Sequence, residues 1–208
     1  TMKKMPENQN LLPTDTQEAP QTAEERSIFQ RFLKVDAHLS ARLLVEETPG
    51  LLRWLLIILG HSCDSWYWLI FLSLLLFFGN ADVRARTLFW IFGLIGLAAF
   101  VLALKFIIRR PRPEGEWGRI YRVSDPHSFP SGHAARAAGI AVMIGTMASP
   151  LVIAGLGAWA LGVGLSRVAL KLHYLSDVVV GWMIGILCGA AAVWIFPLVE
   201  PSIMRLMP

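Results

Sequence analysis

Three apolar runs, residues 66–78, 88–104 and 178–198, constrain this 208-residue chain more than anything else in it. A helix rises about 1.5 Å per residue, so runs of this kind approach the roughly 30 Å thickness of bilayer hydrocarbon. Only 16% of the residues are charged and 55% are hydrophobic, whereas about a quarter of an ordinary soluble domain is charged. That balance excludes a disordered chain, a disulfide-stapled secreted module and most soluble enzymes. It leaves an all-α polytopic membrane bundle of one domain. Cys63 and Cys188 are far apart and read as small packed hydrophobes. With no zinc-type spacing and no acidic EF-hand loop, neither a metal nor a cofactor is expected. The formal charge is +4, and most Lys and Arg fall before Gly50 or between Lys105 and Lys171. Without a basic helix or stacking platform, nucleic acid is not an expected partner. The bilayer and an anionic ligand at its face are.

Residues 1–25 are polar and weakly periodic and read as a disordered tail, leaving 26–208 as the membrane-embedded domain. From Arg26 to Glu47 apolar and charged residues alternate with helical period, which suggests a helix lying at the membrane surface. Residues 51–60 are apolar but too short to cross, and His61-Ser62-Cys63-Asp64-Ser65 separates them from the next run. They read as a half-helix leading into a first span at 64–79, with a separate crossing as the alternative. Four more spans are expected at 87–108, 133–148, 150–166 and 177–198. Alternation then puts the connections 109–132 and 167–176 on one face. Glycines recur along the spans and read as plain close packing.

Three polar clusters sit in those connections. Lys105, at a span end, is followed by Arg112-Pro113, so two cations meet where a trianionic group could sit; snorkelling to headgroups is the bland reading for the lysine alone. Ser131-Gly132-His133 opens a helix: the serine caps it, free backbone N–H groups favour an anion, and glycine lets the backbone approach a ligand. His133 beside such a site is a reasonable proton donor. In Ser166-Arg167-x5-His173-x3-Asp177, the carboxylate is spaced to accept the imidazole Nδ1–H, which makes His173 a nucleophile or a base. Capping and pairing explain any one of these residues, but not three clusters on one face.

Lys105-x6-Arg112-Pro113, Pro130-Ser131-Gly132-His133 and Ser166-Arg167-x5-His173-x3-Asp177 together resemble the three-part signature of the type 2 phosphatidic acid phosphatase (PAP2) superfamily, over roughly residues 50–200. The run 128–137 is most similar to the presqualene diphosphate phosphatase branch. The resemblance implies a helical bundle with its site at one membrane face and a metal-independent phosphatase. By it, His173 attacks phosphorus to give a phosphohistidine, Asp177 orients the ring, and His133 protonates the leaving oxygen and then deprotonates water. Lys105, Arg112, Ser131, Gly132 and Arg167 would hold the phosphoryl oxygens. Arg110 and Arg136 lie outside the signature, as accessory contacts for a second phosphate or as headgroup-facing cations.

The expected substrate is a lipid phosphate or isoprenoid (prenyl) diphosphate. A phosphotransferase, a non-catalytic lipid-phosphate-binding member and, least, a vanadium haloperoxidase are the competing readings. The amino-terminal arm carries Lys3, Lys4, Arg26, Arg31, Lys34 and Arg42, and with five spans it shares the site's face with Arg119 and Arg122. Against Arg84, Arg86 and Arg205 opposite, the positive-inside tendency puts the site of this multi-pass protein on the cytoplasmic face.

Overall fold

A computed structural model describes residues 23–115 and 125–206. The expected tail lies outside them except for its last three residues, as do Arg119 and Arg122. Among the described residues there are seven helices: α1 (Ala23–Ala41), α2 (Leu51–His61), α3 (Ser65–Phe78), α4 (Ala81–Ile108), α5 (Gly132–Gly145), α6 (Pro150–Ala169) and α7 (Leu175–Leu206). The extended contacts among them reduce to an isolated bridge between Pro111 and His127. The chain divides into two compact units, Thr1–Lys34 and Val35–Pro208. The second carries all the polar clusters.

Local chemistry accounts for where the helices begin and end. Asn80 caps α4 by accepting from the Val83 amide at 2.9 Å, so the helix starts seven residues before the apolar run does, with Asp82, Arg84 and Arg86 in its opening turns. It ends where Arg109 turns left-handed at φ 52° and Arg110 meets Pro111, a sequence that cannot continue a helix. Ser131 caps α5 with its side chain on the Ala134 amide. Pro150 sits in the first turn of α6, where its missing N–H costs nothing. α1 ends earlier than the periodicity of residues 26–47 suggests. Ser40 Oγ donates back to the Asp36 carbonyl and accepts from the Leu175 amide, and past Ala41 the Val45 amide pairs with Ala169 instead of continuing the helix.

α4, α6 and α7 are long and apolar enough to cross a membrane, and α2 with α3, bent by 49° at the 62–64 break, forms a fourth crossing if taken as one span. The short, apolar 51–60 segment is the first member of that bent pair. α5, expected to span at 133–148, has only 14 residues and is shorter than the hydrocarbon thickness. It is enclosed by its neighbours rather than by lipid: Ala134, Ala135, Ala137, Ala138, Ile140 and Met143 are all buried. The close approach of α7 to α5 depends on two glycines, Gly181 and Gly185, where an added Cβ would overlap the backbone of Ser131 and Ala135. Gly96, Gly155 and Gly157 face open space instead. Large apolar side chains such as Phe78 (84% exposed) and Leu151 (83%) point outward, the surface expected where the solvent is lipid rather than water.

Candidate active site

At one end of the bundle, the end of α4, the start of α5, the end of α6 and the start of α7 meet around a cavity of about 180 Å³. Its polar wall is Lys105, Arg112, Asp125, Gly132, His133, Arg136, Arg167 and His173, and its apolar wall comes from Leu94, Leu97, Ala98, Val101 and Leu102 of α4. Six of the eight residues expected to act on phosphate therefore line one space. The other two, Ser131 and Asp177, are fully buried directly behind it. The Ser131 amide donates to the Asp177 carbonyl at 2.9 Å, which joins the first turns of α5 and α7.

His173 lies in the short connection between α6 and α7 and is 2% exposed. Arg112 Nη1 approaches its Nε2 at 3.2 Å. A guanidinium only donates, so Nε2 holds a lone pair and the ring proton is on Nδ1. Nδ1 faces Asp177 Oδ2 at 3.6 Å, on the side the spacing predicts but beyond hydrogen-bond length. Burial, then the cations Arg112, Lys105 and Arg167, hold this imidazole well below its ordinary pKa. It is a neutral ring with an available lone pair, the state a nucleophile needs.

Asp177 is fixed from the opposite side. Its Oδ1 accepts from Arg110 Nη1 at 2.7 Å and its Oδ2 from the Tyr174 amide at 2.9 Å. Arg110 also donates to Ser176 Oγ and to Asp36 Oδ2 and stacks over the Tyr174 ring at 4.1 Å. Its guanidinium is thus engaged behind the site, and it does not line the cavity. Arg110, read from sequence as an accessory phosphate contact or a headgroup-facing cation, holds Asp177 and Asp36 here. Two buried carboxylates, Asp36 and Asp177, need the cation more than a headgroup would. Arg136 does line the cavity, and its Nη1 donates to the Cys63 carbonyl at 2.7 Å.

Three carboxylates in and around the site escaped sequence reasoning. Asp125 Oδ2 bonds Lys105 Nζ at 2.6 Å and Arg112 Nη2 at 2.7 Å, lying between the two cations expected to hold phosphate. Burial raises its pKa, but the Lys105 hydrogen bond and the two positive charges outweigh that and leave it below the ordinary carboxylate value. Asp64 accepts from His133 Nε2 at 2.9 Å and from His61 Nδ1 at 2.7 Å. Asp36, on α1, secures Ser176 and Arg110. In sequence each has an ordinary explanation, as a loop acid, a helix cap or a solvent-facing charge. No local spacing links them to site residues 13 to 140 positions away.

A second, apolar groove of about 220 Å³ runs between α3 and α4, lined by Trp68, Leu69, Leu72, Ile91 and Ile95, and it shares Leu94, Ala98 and Arg136 with the polar cavity. A cation-rich cavity and an apolar groove therefore adjoin.

Known structures share this arrangement of helices. The crystal structure of Aquifex aeolicus LpxE superposes with a TM-score of 0.62 at 24% identity, covering 76% of this chain and 94% of that one. The transmembrane PAP2-type phosphatidylglycerolphosphate phosphatase from Bacillus subtilis gives 0.63 at 22% identity, covering 81% and 93%. The family model of the PAP2 superfamily matches residues 86–200, the stretch that supplies Lys105, Arg112, His133, Arg167, His173 and Asp177. The chain is a membrane protein that belongs to the PAP2 superfamily.

Proposed function

We propose that this protein is a metal-independent phosphohydrolase that removes phosphate from a lipid phosphate or an isoprenoid diphosphate through a phosphohistidine on His173. The observation that carries the reading is the neutral His173 ring, with its Nε2 lone pair beside Arg112 at the edge of a cavity also lined by Lys105, Arg167 and His133. His173 Nε2 attacks phosphorus while the P–O bond to the lipid breaks, and His133 protonates the departing oxygen. Water then attacks the phosphohistidine, His133 takes its proton, and the N–P bond breaks to release phosphate. Lys105, Arg112, Arg167 and the Gly132 amide stabilise charge on the equatorial oxygens, and Ser131 holds the amide end of α5 in place. Asp177 orients His173 and offsets its developing positive charge. The α3–α4 groove takes the acyl or prenyl tail from the bilayer side.

The purified protein should release inorganic phosphate from a panel of phosphatidate, phosphatidylglycerol phosphate and prenyl mono- and diphosphates. His173→Ala should abolish the release and the acid-labile phosphoenzyme, and full activity in that variant would overturn the mechanism. In this reading Arg136, at the seam of the two compartments, contacts the second phosphate of a diphosphate substrate. Arg136→Ala should lose diphosphate but not monophosphate turnover, whereas equal loss of both would remove that role. The excess of basic residues in the amino-terminal arm supports a cytoplasmic site. A cysteine introduced at Glu114 should then resist impermeant thiol reagents in intact cells.

A further inference from the structure

We propose that Asp64, held in turn by His61, is the positioning residue of His133: it keeps that ring oriented and offsets the positive charge the ring carries during proton transfer to the leaving group. This rests on the phosphohydrolase reading above and assigns a role to residues outside the three signature clusters. Asp64 occupies the cap position of α3, where an aspartate side chain ordinarily accepts from the helix's own first amides. Here it makes no cap hydrogen bond. Its two oxygens are turned instead to two histidines, Oδ1 to His133 Nε2 at 2.9 Å and Oδ2 to His61 Nδ1 at 2.7 Å.

The α2–α3 break is built to hold Asp64 in place. Arg136 and the Trp68 indole take up the Cys63 and Ser62 carbonyls that the interrupted helix leaves free, at 2.7 and 3.1 Å. Trp159 holds Ser62 Oγ at 2.8 Å, and Cys63 Sγ reaches the His133 carbonyl at 3.6 Å. The break therefore grips the first turn of α5 through both backbone and side chain. The two histidines bind opposite oxygens of one carboxylate rather than converging on a point, which is the geometry of hydrogen bonding rather than metal ligation. Among the described residues no His, Cys, Asp or Glu group is placed to hold a metal ion.

The electrostatic need is evident. Arg136 from its own helix, Arg167 from α6, and Lys105 and Arg112 across the cavity all disfavour a positive charge on His133. Asp64 is the carboxylate bonded to the ring. With Nε2–H on Asp64, Nδ1 is the nitrogen that exchanges the proton. As the lipid P–O bond breaks and the His173 N–P bond forms, the imidazolium gives its Nδ1 proton to the alkoxide. As water attacks the phosphohistidine, the ring takes that proton back and the N–P bond breaks. Asp64 remains ionised throughout, and no proton is gained or lost over the cycle.

The test compares two amphiphilic esters of the same chain length, dodecyl phosphate and a dodecyl-substituted nitrophenyl phosphate. The nitrophenolate leaves without protonation, so its pre-steady-state burst reads phosphorylation of His173 alone. In Asp64→Asn, kcat for dodecyl phosphate should fall about 100-fold with KM within a few-fold, while the nitrophenolate burst rate stays close to that of the unaltered protein. His61→Gln, at a half-exposed position, should give the same pattern with a several-fold loss, and it reads the proposal if Asp64→Asn folds poorly. Equal losses on both esters, or no loss on the alkyl ester, would overturn it. Absence of phosphate release by the unaltered protein from either ester would instead overturn the phosphohydrolase reading itself.

Discussion

The His173 side chain is a site of pH sensitivity. Unfolded, a histidine titrates near 6.5, whereas His173 in the fold titrates well below that because it is buried among Arg112, Lys105 and Arg167. Between those two values the unfolded chain binds the extra proton, so stability falls as pH drops below about 6.5. The thermal midpoint should decrease less between pH 7 and pH 5 in His173→Asn than in the unaltered protein. The folded pKa of Asp125 is displaced downward too, but for a carboxylate this stabilises the fold above its unfolded value near 3.9 and is lost only in stronger acid. Asp125 has a more direct effect on ligands. Its carboxylate bonds Lys105 and Arg112, so an anion entering the cavity would compete with it for both. Asp125→Asn should tighten inhibition by vanadate several-fold, measured as the competitive inhibition constant, and weaker inhibition would show that Asp125 instead holds the cations ready. The cations themselves were legible from spacing because Lys105 and Arg112 are seven residues apart. Their counter-ion was not, since Asp125 reaches them only through the fold.

Helix contacts set the next level of behaviour. α5 and α7 touch through Gly181 and Gly185, and a methyl group on Gly185 would collide with the Ala135 carbonyl. Gly185→Ala should destabilise the protein by about 1–3 kcal/mol, whereas Gly157→Ala, which meets nothing within 4 Å, should be close to neutral. Thermal melting in detergent compares the two. The seam between α1 and α7 is polar: Arg110 bridges Asp36 and Asp177, both at most 5% exposed. Arg110→Ala leaves two buried carboxylates without their cation and should cost about 3–5 kcal/mol, with a loss of turnover. Apolar runs located the helices well but not all of their ends. The charged opening turns of α4 read as a loop because the apolar run begins only later, and the signal that extends the helix is the Asn80 cap. α1 ends early for a tertiary reason, the capture of Ser40 by the Leu175 amide.

Across the whole molecule, the polar cavity and the apolar groove meet at Leu94, Ala98 and Arg136. Filling that junction with Ala98→Phe should raise KM for long-chain phosphates and leave short-chain esters nearly unaffected, which a chain-length series measures. The bundle and the gathering of the signature residues around one cavity were readable because the signature positions fall at helix ends, where sequence spacing and spatial spacing nearly coincide. The supporting carboxylates were not, because Asp36 and Asp64 belong to helices that meet the site only after folding. That separation bears on where the protein can be cut. The family match begins at residue 86, so a fragment trimmed to it would carry Lys105, Arg112, both signature histidines and Asp177, yet lack Asp36 and Asp64. Such a fragment would have Arg110 without one of its two anions and His133 without its carboxylate. The smallest piece able to work must therefore start upstream of Asp36, well outside the borders by which its relatives are recognised.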